Sequence, residues 1–359
     1  MERCEITRKL LLEQYRKYPK MQIADIFKYL FQSVFGCGHM VADERAAEDY
    51  IKRELTACGS EYDEAEELDG GYFRAPIALV KKGMSEKTLA RIFYLSAEKA
   101  HGGRDELEAK LSVAKALVTE GELPFCAEEF ERELGKWRAA GYHAMHHSEA
   151  YREHYRPAYR VIASEYAEFL PLFLKIDKML ANSGGIIAID GGSASGKTTL
   201  AAMIERVYSC AVFHMDDFFL RPEQRTEARL AEAGGNVDRE RFLAEVLLPL
   251  SAHTPVCYRR FDCSTGVLLP EISAELKAIA VVEGAYSMHP ELAEYYDLSV
   301  FLDIGAEYQK ERILKRNSEK LAKRFFEEWI PLENIYFSKM CVKERCDISF
   351  SICKREAQI

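Results

Sequence analysis

The hydrophobic pattern of this chain changes once. Up to about residue 180, apolar positions recur at helical spacing. Leu10, Leu11 and Tyr15 mark one helix, and Ile23, Ile26, Phe27 and Leu30 mark the next, with Pro19 between them. Gly36-Cys37-Gly38-His39 reads as the turn that ends the second helix. Further helices are predicted near 43–57, 85–100, 104–119, 126–140 and 146–180, the last divided or kinked by Pro157 and Pro171. Asp63 to Gly71 reads as an acidic loop. Tyr151, Tyr155 and Tyr159 repeat at every fourth position, as a core stripe or as a ligand-stacking or inter-domain surface.

From Gly184 onward, short β-rich apolar runs alternate with helical stretches. The runs are Ile186–Ile189, Ala211–Met215, Ile279–Val282, Leu298–Leu302 and Ile348–Ile352. Five such strands separated by helices predict a parallel sheet covered on both faces. Asn182-Ser183-Gly184-Gly185 is the natural seam. The expected organisation is an all-helical domain over 1–182 and an α/β domain over 183–359.

Composition narrows the function. The 359 residues are 48% hydrophobic and 30% charged, a globular profile with enough chain for two cores. The net charge of −9 argues against nucleic acid, whose phosphates need a surplus of Lys and Arg. No apolar run approaches the ~20 residues of a membrane span, and Met1-Glu2-Arg3-Cys4-Glu5 has no apolar signal region. A cytoplasmic location is expected. The ten cysteines include no Cys-x-x-Cys pair, and Cys341, Cys346 and Cys353 lack zinc-finger spacing.

The strongest chemical signal follows the first β-rich run. Gly191-Gly192-Ser193-Ala194-Ser195-Gly196-Lys197-Thr198 is a complete G-x-x-x-x-G-K-[ST] pattern, continued by the helix-forming Thr199-Leu200-Ala201-Ala202-Met203. Small residues let backbone N–H groups turn inward around phosphates, and the following helix aims its positive end at them. Lys197 is placed to hold the β- and γ-phosphates and Thr198 to ligate Mg²⁺.

Two acids close the next strands. Asp216 lies in His214-Met215-Asp216-Asp217, which closes the second run, and Glu283 ends Val281-Val282-Glu283, which closes the third. Ligands of open α/β sheets lie beyond the carboxyl ends of the strands. Asp216 is the candidate base for an acceptor hydroxyl, and Glu283 the candidate contact to Mg²⁺ through water.

These elements resemble the uridine kinase and nicotinamide riboside kinase group of P-loop kinases, over about 184–355. The resemblance implies a five-stranded parallel sheet, ATP with Mg²⁺, and a catalytic acid at Asp216. Asn236-Val237-Asp238 is similar to the family's Asn-Phe-Asp, which implies that Asp238 meets the acceptor's ribose hydroxyls. Arg312-Ile313-Leu314-Lys315-Arg316 is similar to the family's basic lid, which implies that Arg312, Lys315 and Arg316 face the moving phosphoryl group; Arg324 is a further lid candidate. The chain departs from the family at Tyr258-Arg259-Arg260-Phe261-Asp262-Cys263. Cys263 stands where the family carries a base-reading histidine. Tyr258, Arg259 and Arg260 therefore become candidates for binding an anionic acceptor, with a surface role for the arginines as the alternative. Glu319-Lys320 also replaces the lid's second basic pair.

In the first half, His143, His147 and His154 would share one face of a helix. With Cys37 and His39 they are candidate metal ligands, or else histidines bonded to neighbours. The whole reading is an ATP- and Mg²⁺-dependent kinase acting on a small hydroxyl compound, with a nucleotide-dependent sensor as the rival.

Overall fold

The computed structural model describes residues 2–38, 43–57, 64–99 and 102–353. The chain divides into two compact units, Met1–Asp177 and Lys178–Ala357.

The first unit is mainly helical. Its longer helices are α1 (Glu2–Lys17), α2 (Ile23–Phe35), α3 (Glu44–Ala57), α4 (Glu86–Glu98), α5 (Arg104–Thr119), α6 (Ala127–Ala139) and α7 (Glu149–Tyr155), and α8 (Leu170–Leu180) begins within it. Helix α2 shows why they form. Ile23, Ile26, Phe27 and Leu30 bury one stripe, and Asp25 caps the first turn by accepting from Gln22 N–H at 2.9 Å. The helix stops at Gly36, with φ 54°.

The expectation of an all-helical unit fails in one place. Strands β1 (Glu66–Leu68), β2 (Tyr72–Pro76) and β3 (Tyr159–Ala163) form an antiparallel sheet in that order. The predicted helix 146–180 breaks at Arg156, which turns left-handed (φ 44°) before Pro157. The buried, β-branched Val161 and Ile162 then pair with Arg74 and Phe73. Glu66–Leu68 lies within the segment read as an acidic loop. Tyr151 of the tyrosine repeat is core, 1% exposed.

The second unit is a doubly wound α/β layer. Strands β4 (Gly185–Gly191), β5 (Ala211–His214), β6 (Ile279–Glu283), β7 (Leu298–Ile304) and β8 (Ile348–Ile352) are all parallel, in the order β8-β7-β4-β6-β5. Ile187, Ala188, Ile189, Val281, Val282 and Val300 are fully buried, as the apolar runs predicted. Helix α9 (Lys197–Tyr208) follows β4 directly. Helix α10 (Ala306–Arg316) follows β7, and helical chain continues through α11 (Glu319–Arg324) and 325–329 into α12 (Ile330–Met340). The first strand thus lies in the middle of the sheet, between the third and fourth. Sheet order, phosphate-loop position and flanking helices make this a P-loop kinase fold.

Among the described residues, no helix is long and apolar enough to cross a membrane.

Candidate active site

The site grows from the end of β4. Gly191 has φ +144°, and a Cβ there would stand 2.4 Å from Leu302 O on the neighbouring strand, so only glycine fits. Gly196 (φ +104°) and Ala194 (φ +61°) complete the reversal into α9. The first-turn N–H groups of α9, from Lys197, Thr198 and Thr199, have no intrahelical carbonyl to reach, which makes this helix start suited to an anion. Lys197 Nζ folds back onto Gly191 O (2.8 Å) and Gly192 O (3.1 Å). These are weak partners for an ammonium, and an anion in the mouth would draw it away.

Thr198 and Glu283 meet as the sequence implied. Register places Glu283 beside Ile189 of β4 and His214 of β5. Thr198 Oγ1 donates to Glu283 Oε1 at 3.0 Å, and His214 Nδ1 lies 2.6 Å from the same oxygen. The Glu283 hydrogen bond raises the His214 pKa, against the opposing effect of burial. Thr198 and Glu283 offer two adjacent hard oxygen ligands, a donor set that fits Mg²⁺, which otherwise keeps its waters.

Asp216 lies just past β5, in the turn Met215–Phe218. The residue is exposed, yet desolvation of its carboxyl group by the surrounding protein raises its pKa. Glu283 adds to that rise, while Lys197 and His214 oppose it. Asp217 is also raised, chiefly by burial, with His214 and Arg260 countering.

Arg312 comes from α10, and its guanidinium lies 3.8 Å from where a Cβ on Gly196 would be, above the loop. Lys315 and Arg316 are exposed on the last turn of α10. The acceptor-side candidates divide. Asp238 is buried and caps the helix that follows, accepting from Arg241 N–H (3.2 Å) and from Gln224 Nε2 (2.9 Å). Tyr258 is core, with its ring stacked on Phe218 at 5.6 Å. Arg259 Nε is spent on Leu269 O at 3.0 Å. Arg260 and Asp217 interact electrostatically. The exposed Cys263 thiol has its pKa raised, first by burial and then by Asp216, while Arg225 and Arg324 oppose.

Sequence reasoning missed several residues here. Asp190, immediately before the loop, is fully buried and accepts from Gly191 N–H (2.7 Å), Met288 N–H (2.9 Å) and Tyr336 OH (2.9 Å). Burial carries its pKa up to about 6. A carboxylate inside an apolar strand was the available signal. Arg241 donates to Asp217 O (3.1 Å) and Arg259 O (2.6 Å), joining both acceptor-side turns. Glu333 bonds Ser193 from far along the chain, and no local spacing announces it.

In the first unit, His147 sits between Asp25 (2.8 Å) and Tyr159 OH (2.6 Å), so both ring nitrogens are taken. His154 bonds its own helix at Ala150 O, 2.9 Å. His143 and His147 precede α7, so the shared helical face does not form. Cys37 contacts Phe93 O (3.7 Å), and burial pushes its thiol up to about 12, against a nucleophilic role. His39 lies outside the described residues. Among the described residues, no group of three or more His, Cys, Asp or Glu is placed to hold a metal ion.

No family model matches the chain, and no curated protein matches it. Among solved structures it is similar to a possible uridine kinase from Bacillus stearothermophilus, at 21% identity and TM-score 0.38, over 50% of this chain and 99% of that one. It is also similar to shikimate kinase from Aquifex aeolicus (17%, TM-score 0.25, 47% and 87%) and to deoxyadenosine kinase from M. mycoides (15%, TM-score 0.21, 46% and 90%). These are likenesses of fold to about half of the chain.

Proposed function

We propose that the second unit is an ATP-dependent kinase that phosphorylates a hydroxyl of a small molecule. The observation that carries this reading is the convergence of Lys197, the Thr198–Glu283 pair and Asp216 at adjacent strand ends around a complete phosphate loop. In this reading Gly191 to Thr199 wrap the phosphates, with backbone N–H groups supplied by Lys197, Thr198 and Thr199, and Lys197 turns from the two glycine carbonyls to the β- and γ-phosphates. Thr198 and, through water, Glu283 would hold Mg²⁺. When bound, Mg²⁺ neutralises phosphate charge. Asp216 accepts the acceptor's hydroxyl proton as the new O–P bond forms and the bond to the β-phosphate bridge oxygen breaks. Its raised pKa makes it more basic than a free carboxylate, which suits a base. Arg312 stabilises charge on the moving group from the lid side.

The acceptor we favour carries a phosphate or carboxylate. Arg260 beside Asp217, and Arg225 and Arg324 around Cys263, support this, whereas a thiol is a poor reader of a pyrimidine edge. Arg259 and Tyr258 have structural contacts that suffice to explain them.

The test is ADP release in the presence of ATP and Mg²⁺ over nucleosides, vitamins, sugars and sugar phosphates. An anionic acceptor should give the highest kcat/KM. Uridine as best acceptor, unaffected by Arg260→Ala, would refute the acceptor class. ATP binding without acceptor-dependent ADP release across the panel would refute the kinase.

A further inference from the structure

Ser193, the third residue of the phosphate loop, has all its polar groups held by helices on either side of the lid. Its carbonyl accepts from Gln309 Nε2 of α10 at 2.9 Å. Its N–H and Oγ–H donate to the two oxygens of Glu333 in α12, at 2.8 and 2.6 Å. Gln309 and Glu333 are buried, 8% and 5% exposed. Between them along the chain lie the lid candidates Arg312, Lys315, Arg316 and Arg324.

A buried carboxylate carries a desolvation cost, and burial raises the Glu333 pKa accordingly. Lys197 and the two bonds from Ser193 offset that cost, and Asp216 adds to it. One turn further along α12, Tyr336 bonds Asp190 at the base of the loop. The helix therefore grips the chain on both sides of Gly191 and Gly192.

The loop is also poised to move. Gly192 O accepts from both Lys197 Nζ and Ser195 N–H (3.1 Å each). When the ammonium turns toward phosphate, this carbonyl loses a charged partner. The Gly192–Ser193 peptide is then held by Ser195 N–H and Glu333 without the ammonium, and every polar contact of Ser193 lies on a lid stem.

We infer that Glu333 and Gln309 are positioning residues that latch both lid stems to Ser193, so that filling the phosphate loop repositions the lid. The inference rests on the ATP-binding reading above. Linkage makes the coupling measurable, since whatever the nucleotide does to the lid appears as a change in lid accessibility.

The experiment uses the full chain with and without Mg²⁺ and ATP. Trypsin cleavage after Arg316, Lys320, Lys323 and Arg324 is followed by mass spectrometry, and ATP affinity by calorimetry. In the wild type, saturating nucleotide should slow lid cleavage by about tenfold, a typical size for site-to-site coupling. Glu333→Gln and Gln309→Ala should each lose most of that protection and, by the same linkage, no more than about tenfold in ATP affinity. The double variant should be no worse than either single one, because both act through Ser193. Wild-type protection retained in the variants would overturn the latch while leaving the kinase reading intact, as would a wild type that binds ATP without protection. An affinity loss in folded variants far beyond about tenfold would also overturn it, because Glu333 and Gln309 would then shape the cradle itself. A wild type that does not bind ATP would refute the nucleotide reading itself, and the latch with it. If Glu333→Gln fails to fold by circular dichroism, Gln309→Ala alone decides.

Discussion

His147 makes the first unit sensitive to acid, and the size of the effect can be worked out. Its ring stacks on Tyr151 at 4.2 Å and its nitrogens face Asp25 and Tyr159. Asp25 only accepts, so Nδ1 carries the proton and Nε2 accepts from the tyrosine. Burial drives the imidazole pKa from 6.5 down to about 3; the Asp25 hydrogen bond opposes this, and the charges of Arg74 and Lys28 reinforce it. An unfolded chain therefore takes up a proton below pH 6.5 that the folded unit refuses until about pH 3. The stability contributed by the neutral ring is complete above 6.5 and is lost as pH falls through that window. At about 1.4 kcal/mol per pH unit, the loss is about 2 kcal/mol at pH 5 and about 4 kcal/mol at pH 3, where the folded ring is itself half protonated. Asp25, whose pKa is lowered by its hydrogen bonds against the pull of burial, works in the same direction at lower pH. His147→Gln removes the titration and keeps a donor for Asp25. Trp137, stacked on Phe27 at 5.1 Å, reports on this unit, and a Trp329→Phe background silences the other tryptophan. Urea unfolding followed by Trp137 fluorescence should show the wild type losing about 2 kcal/mol more than the variant between pH 7 and pH 5. Parallel pH curves for the two proteins would refute the assignment of a buried neutral histidine.

Lys197→Ala should abolish acceptor-dependent ADP release with an unchanged circular dichroism spectrum; turnover near wild type would remove the phosphate-loop role. Asp216→Asn should slow transfer by about 10²–10⁴ while ATP still binds. If calorimetry instead shows binding lost and residual turnover high, the base is another acid, with Asp217 next in line. Gly191→Ala forces a side chain against Leu302 O at a φ that L residues avoid, and should cost of order 3 kcal/mol in denaturant unfolding of the second unit. An unchanged midpoint would mean the strand end relaxes freely.

The second unit was legible because its signals are local. Each of the five apolar runs became a strand, since buried parallel strands must be continuously apolar, and the loop pattern fixes its own conformation through Gly191 and Gly196. The first unit yielded its helices for a similar reason. Its sheet stayed hidden because Val161-Ile162 is too short a run to be told from helix by periodicity, and its partner strand lies far away in sequence. The site divided along the same line. Lys197 and Thr198 open the helix after the loop and Glu283 ends a strand, so local pattern placed all three. Asp238 and Tyr258 carry family-like motifs, yet here a helix cap and an aromatic core occupy them. Gln309 and Glu333 matter only through Ser193, a contact that only the folded chain creates.

The place of β4 in its sheet has a kinetic consequence. It is the first strand of the unit to be synthesised, but its two walls, β6 and β7, arrive only with Ile279–Glu283 and Leu298–Ile304. Until both dock, Gly191 to Thr198 is a tether without Glu283 beside it or Leu302 behind it. Closing such distant pairings is slow, because chain entropy is lost before the contacts form. A ligand gripped by this loop therefore finds nothing to hold in a nascent or refolding chain. It can delay escape from the finished sheet, by binding the native state alone, but it cannot hasten arrival there.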